Sequence, residues 1–565
     1  MKNQRRFLAI GVAALLATGV AACSSASSSG GASSGTSSTG ATLVMESSPE
    51  STITQDFNPY ATTQAAYAMG ATGLIYEPLI QFDVAAPPKY YPWLATSYSW
   101  GNSGKSITFA IRQGVKWSNG TPFTAADVAF TYNLLKANST LNLSGLDISG
   151  VSTSGNNVTV SFPTAQYANL ENIAGVAILP KAIWSKVSNP ATYTDPDPVG
   201  TGPYKLDTFT AQGFTLEKNP GYWQTVTVPK VYFPVYTSNT GALSALFSGT
   251  IDWTGNYIPG LQKSFVDPDP STHHYWEAPG SSNALFPNLT TWPTNQLPVR
   301  QAMSLAINRT LIADEGESGL ESPVTTATGL TLPTYSAWNG NSAASLTNSA
   351  TANAAAAEKV LENAGYTKGS NGYFEKGGKT VSLSITDPSA YTDYAADDSL
   401  IAQELRDAGI DATFDGISVN AWTSDIADGD FQLTLHWANA GLTPYNMYDN
   451  WLDSALSSGS SAKSATGNYE RLNDPTVDSE LATLGAAATT AAQTQALAPI
   501  EQYVASNVPI IPTTTASDWF EYNSQHYTGW PTAANPYESG QPSGSNNSPS
   551  TGTDEVVILH LKPVS

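Results

Sequence analysis

The sequence predicts a mixed α/β body of several lobes, and three features of its patterning carry that expectation. Short strands come first: Ser106-Ile107-Thr108-Phe109-Ala110-Ile111 and Val158-Thr159-Val160-Ser161-Phe162 alternate with a period of two. Amphipathic helices stand among them. In the stretch from Thr124 to Leu135, Thr124 fits an N-cap, and Asp127 three residues on helps the exposed N–H groups of the first turn. Asn353 to Asn363 is rich in alanine, and Gly365 sits where a helix C-cap belongs. The third feature is order: strands and helices interleave without a strict βαβ repeat, which suits an α+β or α/β body of more than one lobe.

Ahead of that body stands a targeting segment. Lys2, Arg5 and Arg6 give a positive start, and Phe7 to Val20 form an apolar stretch broken only by Gly11, Thr18 and Gly19. Such a stretch is too short to span a bilayer comfortably, which favours a cleaved secretory signal over residues 1–22. Its end, Val20-Ala21-Ala22-Cys23, resembles a bacterial lipobox. The resemblance implies that Cys23 is acylated and becomes the first residue of the mature chain. The alternative is an ordinary signal with an incidental cysteine, yet Cys23 is the sole cysteine of the protein and stands where lipidation needs it. Acyl chains contribute roughly 0.8 kcal/mol per buried methylene, enough for a multiply acylated cysteine to hold a protein on a membrane. Ser24 to Thr42 is almost entirely Ser, Gly, Ala and Thr, a flexible tether with nothing to bury. The tether contains Gly31-Ala32-Ser33-Ser34-Gly35, a formal G-x-S-x-G, but the strand and helix that motif requires are not there.

About 520 residues follow the tether, enough for two or three domains with real cores. Removing Lys2, Arg5 and Arg6 with the signal leaves 21 Lys and Arg against 46 Asp and Glu, a net charge of −25. That balance argues against nucleic acid, whose phosphates need basic partners, and a generally acidic surface serves solubility. With Cys23 assigned to lipid, the body has neither disulfide nor thiol chemistry. Fourteen Trp and 27 Tyr are many for this length. Most belong in cores, but the surplus suits a site that stacks flat, uncharged ligands and hydrogen-bonds their edges.

Catalytic and metal signatures are missing from the sequence. The five histidines, His273, His274, His436, His526 and His560, make neither H-x-x-x-H nor H-E-x-x-H, so no metal and no cofactor is expected. Gly377-Gly378-Lys379-Thr380 ends like a P-loop, but Tyr373 stands where its first glycine belongs; Gly101 to Ser106 fails likewise, with Ser99 at that place. Carboxylate pairs abound in so acidic a chain, and none is singled out for glycosidase chemistry. The expectation is a binding protein, not an enzyme.

A series of segments carries a family resemblance. Leu94 to Trp100, Ile107 to Arg112 and Gly114-Val115-Lys116-Trp117-Ser118-Asn119-Gly120-Thr121-Pro122-Phe123 lead into Thr124 to Val128. Then come Gly200-Thr201-Gly202-Pro203-Tyr204-Lys205-Leu206 and Glu217-Lys218-Asn219-Pro220-Gly221-Tyr222-Trp223. Val299 to Arg309, Ala357 to Tyr366, Leu405 to Asp411 and Pro509-Ile510-Ile511-Pro512 complete it. In this order they resemble the family 5 extracellular solute-binding proteins, the peptide, nickel and oligosaccharide binders of ABC importers. Read from the residues alone, Gly114 to Asp127 is a turn into a capped helix, Trp117 a core anchor, and Gly200 to Tyr204 a strand-entry turn where the chain can cross between lobes.

The resemblance implies a periplasmic-binding-protein-like body of two main lobes plus an inserted domain, hinged about a ligand cleft. Its expected parts are lobe I in three pieces (43–78, 199–288 and 524–565), an inserted domain II (79–198) and lobe III (289–523). It also implies ABC permease subunits as partners, a monomer, and a place outside the cytoplasm, on the membrane's outer face or periplasmic side. Peptide-binding members of the family hold the peptide's amino terminus with an aspartate just after a Gly-Trp or similar strand end. Here Ala440 falls at that place, and Asp449 is the nearest acidic residue downstream. Thr443 to Trp451 and Tyr527 to Tyr537 instead resemble the branch that binds cellobiose and related β-linked oligosaccharides. Pyranose rings stack apolar faces on Trp and Tyr, while Asn, Asp and Thr meet their hydroxyls. The candidate contacts are Trp253, Trp437, Asn439, Tyr445, Tyr448, Trp530 and Asn535. The expected ligand is a neutral, cellobiose-like oligosaccharide, with an oligopeptide as the alternative.

Overall fold

The computed structural model describes residues 40–565 apart from 48, 51, 62–64, 84–87, 341–342, 439, 459–464, 543–551 and 565. The signal segment, Cys23 and the tether up to residue 39 therefore lie outside the described residues, as does Asn439. Mixed α/β architecture is what the chain forms. A seven-stranded sheet runs in the order 273–275, 521–523, 253–254, 43–46, 230–234, 213–218 and 204–210. At its centre Leu43–Glu46 pairs parallel with both Lys230–Pro234 and Trp253–Thr254. A five-stranded sheet is ordered 411–417, 382–388, 433–437, 278–287 and 511–518, with Ser382–Pro388 parallel to both neighbours. The antiparallel strands 95–101, 106–111, 157–161 and 150–154 form a third.

Between the two large sheets the chain crosses twice, from Tyr275 to Ala278 and from Asp518 to Glu521, ahead of the boundaries expected at 288 and 523. The crossings lie side by side, and Trp276 N–H donates to Phe520 O at 3.0 Å.

Local chemistry explains why the sequence segments fold as they do. Thr124 N–H and its hydroxyl both donate to Asp127 Oδ2, at 2.9 and 3.0 Å, opening the helix Ala125–Ala137. Asp127 Oδ1 also accepts from Lys181 N–H at 3.0 Å, so one carboxylate caps a helix and fixes a loop. Asn353 accepts from Ala356 N–H at the start of Ala354–Asn363, and Gly365 follows that helix at φ +82°. Trp117 is buried edge-on against Phe123, as an anchor should be.

Two of the family-like segments interlock. Asn219 Nδ2 donates to Gly202 O at 2.9 Å while Asn219 N–H donates to Pro203 O at 2.7 Å. Gly202 N–H in turn donates to Ile75 O at 3.0 Å, laying the strand entry against the short helix Thr72–Ile75. Trp223 Nε1 and Tyr222 Oη both donate to Glu77 Oε1, at 2.9 and 3.1 Å, and Tyr222 also reaches Glu555. Residues from four distant stretches are thereby tied into one buried network.

Candidate functional site

A cleft of about 860 Å³, counting the open space at its mouth, lies where the two large sheets face each other. Its position follows from topology. On one wall the chain leaves the parallel strands 43–46, 230–234 and 253–254 and presents Ser47, Asn239, Asn256 and Tyr257. On the other it leaves strand 382–388 and presents Tyr391, Asp393 and Tyr394, beside Trp437 at the end of the parallel strand 433–437. Crevices outside the carboxyl ends of parallel strands are where α/β proteins hold ligands, because diverging loops leave room there.

The polar groups of the walls are largely engaged with one another. Asn256 Nδ2 donates to Thr254 Oγ1 at 2.7 Å and also to Glu46. Asn283 Nδ2 donates to Glu321 Oε2 at 3.2 Å, and Ser517 N–H donates to Glu321 Oε1 at 2.9 Å. Tyr394 donates to Asn283 Oδ1 and Tyr257 to Gly316 O, which fixes both rings. No lysine, arginine or histidine is among the described residues that line the cleft.

Carboxylates gather behind this surface without cations to pair them, so burial raises their pKa values. Desolvation pushes Glu46 up to about 7 against the hydrogen bonds from Thr254 and Asn256. Glu321 rises to about 8 and Asp387 to about 7, each chiefly by burial. Glu277 and Glu521, one at each crossing, are raised well above the usual range, chiefly by burial; Glu277 raises Glu521 further, whereas Glu521 opposes the rise at Glu277. An acid whose pKa is raised on folding stays protonated after the unfolded chain has lost its proton. Above the unfolded value the native state therefore binds more protons, and stability falls as pH rises. From these groups the melting temperature is expected to fall between about pH 4.5 and about pH 8. Calorimetric scans across that window check it; a melting temperature that climbs towards pH 8 contradicts it.

The residues singled out from sequence take different places. Trp437 lines the cleft, half-buried, beside the His436 ring at 4.1 Å and Trp422 at 5.9 Å. Burial lowers His436 to about 4, so this stack is uncharged at neutral pH. Trp253 is fully buried, its Nε1 donating to Gly540 O at 2.8 Å. Trp530 meets it edge-on at 5.5 Å, stacks on Tyr522 at 4.9 Å, and donates to Tyr527 O. These rings belong to a buried hydrophobic core, and neither Trp253 nor Trp530 is among the described residues that line the cleft.

Tyr445 and Tyr448 lie on the helix Pro444–Leu452. Tyr448 is buried and donates to Thr328 O, while Tyr445 lines a second cavity of about 410 Å³ with Asp449, Asp453 and Asp478. Asn535 is exposed in a turn that bridges to Thr532. Ala440 packs, partly buried, against the hydrophobic cluster that includes Leu43, Phe109 and Leu170. Tyr391, Asp393, Tyr394, Asn239 and Trp519, which neither motif nor resemblance marks, also line the cleft. The available signal was positional: Tyr391 to Tyr394 join a strand to a helix directly after Ser382–Pro388.

Among the described residues no helix is long and apolar enough to cross a membrane, and no group of three His, Cys, Asp or Glu is arranged to hold a metal ion.

Residues 89–459 match the family described as bacterial extracellular solute-binding proteins, family 5 middle. The chain belongs to that family. It is a binding component of an ABC importer that acts outside the cytoplasm, and it is not an enzyme. The nickel-binding periplasmic protein of Escherichia coli (strain K12) is 27% identical over 385 residues, 65% of this chain and 70% of that one. The oligopeptide-binding protein OppA of Bacillus subtilis (strain 168) is 24% identical over 403 residues, covering 64% and 69%. A solved structure of the mannohexaose-bound periplasmic oligopeptide-binding protein of Thermotoga maritima shares the fold, with a TM-score of 0.81. Identity to it is 22%, over 92% of this chain and 98% of that one.

Proposed function

We propose that the chain captures a β-linked oligosaccharide of cellobiose type in this cleft and delivers it to a membrane permease. In this proposal Cys23 is acylated and the following tether holds the body off the membrane. The single observation that carries the ligand reading is the lining of the cleft, which combines Tyr257, Tyr391, Tyr394, Trp437 and Trp519 with the amide residues Asn239, Asn256, Asn283 and Gln541. Rings together with amides suit a ligand whose faces are apolar and whose rim is hydroxyl. The mannohexaose held by the Thermotoga maritima protein of the same fold supports a sugar-sized occupant. Closure about the paired crossings at Trp276 and Phe520 would signal occupancy, provided the ligand binds the closed form better.

Peptide capture is the second reading, favoured by the similarity to OppA and by the carboxylate of Asp393 on the wall. Asp449, the downstream acid nearest Ala440, lines the other cavity and not this one. Tryptophan fluorescence separates the two: Trp437 and Trp519 line the cleft, so its occupant changes their emission. Titration with β-gluco- and β-manno-oligosaccharides is expected to give a saturable change, whereas di- to pentapeptides give none. A response to peptides alone rejects the sugar reading.

A further inference from the structure

Trp437 reaches the cleft from a strand whose end is tied down by a side chain. The parallel strands 382–388 and 433–437 pair in register at Ile385 and Leu433. Beyond that point Asp387 continues the contact. Leu435 N–H donates to Asp387 Oδ2 at 2.8 Å, and the Thr434 hydroxyl donates to Asp387 Oδ1 at 2.8 Å. Both Asp387 and Thr434 are fully buried. Each carboxylate oxygen therefore has its own donor, an arrangement that an amide, with one acceptor oxygen, does not reproduce.

The same hydroxyl carries the contact on to the rings. Thr434 Oγ1 accepts from Trp422 Nε1 at 2.8 Å, tying the helix Val419–Asp428 to the sheet. An indole whose N–H is bonded in this way is held in one rotamer, so the face it offers is set. His436 stacks on that face at 5.3 Å, with 22° between the planes, and Tyr391 meets Trp422 edge-on at 6.1 Å. Trp437 packs on His436 at 4.1 Å and on Trp422 at 5.9 Å. Buried contacts thus run from Asp387 through Thr434 and Trp422 to the ring that lines the cleft. None of those first three residues is among the residues lining it.

We infer that Asp387 is a positioning residue of the binding site: through the Thr434 hydroxyl and the Trp422 indole it fixes the plane of Trp437, and so sets how tightly a flat-faced sugar is held. This inference rests on the oligosaccharide reading for its ligand and goes beyond it, because it assigns affinity to three residues outside the cleft lining. A stacking ring fixed in advance loses little freedom on binding, whereas a ring left free to rock loses that freedom when the sugar arrives.

The test compares Thr434→Val with Thr434→Ser in the mature protein, by isothermal titration with β-1,4-linked glucose oligomers. Valine keeps the branched shape but leaves Asp387 Oδ1 and Trp422 Nε1 without their partner, whereas serine keeps the hydroxyl. Thr434→Val is expected to weaken binding by about tenfold and Thr434→Ser by no more than about twofold. In a Trp437→Ala background Thr434→Val is expected to add no more than about twofold, because its effect runs through that ring. A second readout needs no ligand. The part of the far-ultraviolet exciton circular dichroism that Trp437→Ala removes reports the Trp422–Trp437 pair. Thr434→Val is expected to lose at least about half of that part, and Thr434→Ser to keep it. Should Thr434→Val not fold, Asp387→Asn takes its place with the same expected losses. Equal losses with valine and serine, or the same tenfold loss with and without Trp437, overturn the inference and leave the oligosaccharide reading intact. If no sugar binds, the oligosaccharide reading falls and the exciton signal decides alone: lost in Thr434→Val it supports the positioning role, and unchanged it overturns that as well.

Discussion

Replacing Trp437 with alanine is expected to weaken oligosaccharide binding by about thirtyfold or more, close to 2 kcal/mol, by isothermal titration. The ring stands at the end of strand 433–437, held from behind by the His436 and Trp422 rings, and its exposed part lines the cleft. Its position is therefore fixed before the ligand arrives, and stacking a pyranose on it loses little side-chain entropy. Trp437→Phe keeps a flat ring on the same backbone and is expected to retain most of the affinity. The fold should survive both changes, because Trp437 is only half-buried and sits at the margin of its cluster with Trp422, Ile426 and Phe431. Unchanged affinity in Trp437→Ala removes this ring from the site.

The second large effect concerns folding. A β-carbon added at Gly200 would lie 1.7 Å from Ile75 O, and one at Gly202 would lie 2.4 Å from Leu74 O. Both obstacles are backbone at the end of the helix Thr72–Ile75, so no rotamer change relieves them. Gly200→Ala is expected to destabilise the protein by about 4 kcal/mol or more, or to prevent its recovery in folded form. Gly114→Ala is the control: nothing lies within 4 Å of its added carbon, and only the φ of +85° opposes it. Its cost is expected near 1 kcal/mol, by denaturant unfolding. If Gly200→Ala unfolds no more easily than Gly114→Ala, the strand entry does not pack as described.

These two residues also show what the sequence could and could not reveal. Gly200 to Tyr204 was readable as a strand-entry turn because glycine, proline and a following alternation are local signals. Its partner at residue 75 was not readable, since nothing local announces a contact 125 residues away. The same division runs through the site. Trp437 is legible through the family resemblance, which sets it at a strand end, and the structure has it as the last residue of strand 433–437. Trp253 also lies at a strand end, but it pairs in register with Met45 and Tyr522, and its ring is buried in the core.

Which way a strand residue faces changes with a register shift of one, and composition does not fix register. Tyr445 and Tyr448 stood in an aromatic run on one helix, yet the helix packs so that Tyr448 is buried and Tyr445 turns to the second cavity. Asp393 is a single acid between Thr392 and Tyr394, with nothing local to mark it. Topology places it, bringing the segment after strand 382–388 into the same cleft as Asn239 and Asn256.

Hydrogen–deuterium exchange with and without a β-1,4-linked oligosaccharide tests most directly the claim that solute is held between the two sheets. Protection is predicted in segments spanning 254–257, 391–394 and 435–438, with the crossings at 275–278 and 518–521 slowed as the lobes close. Protection confined to the region around Tyr445 and Asp478, or spread evenly with none at the cleft, would contradict it.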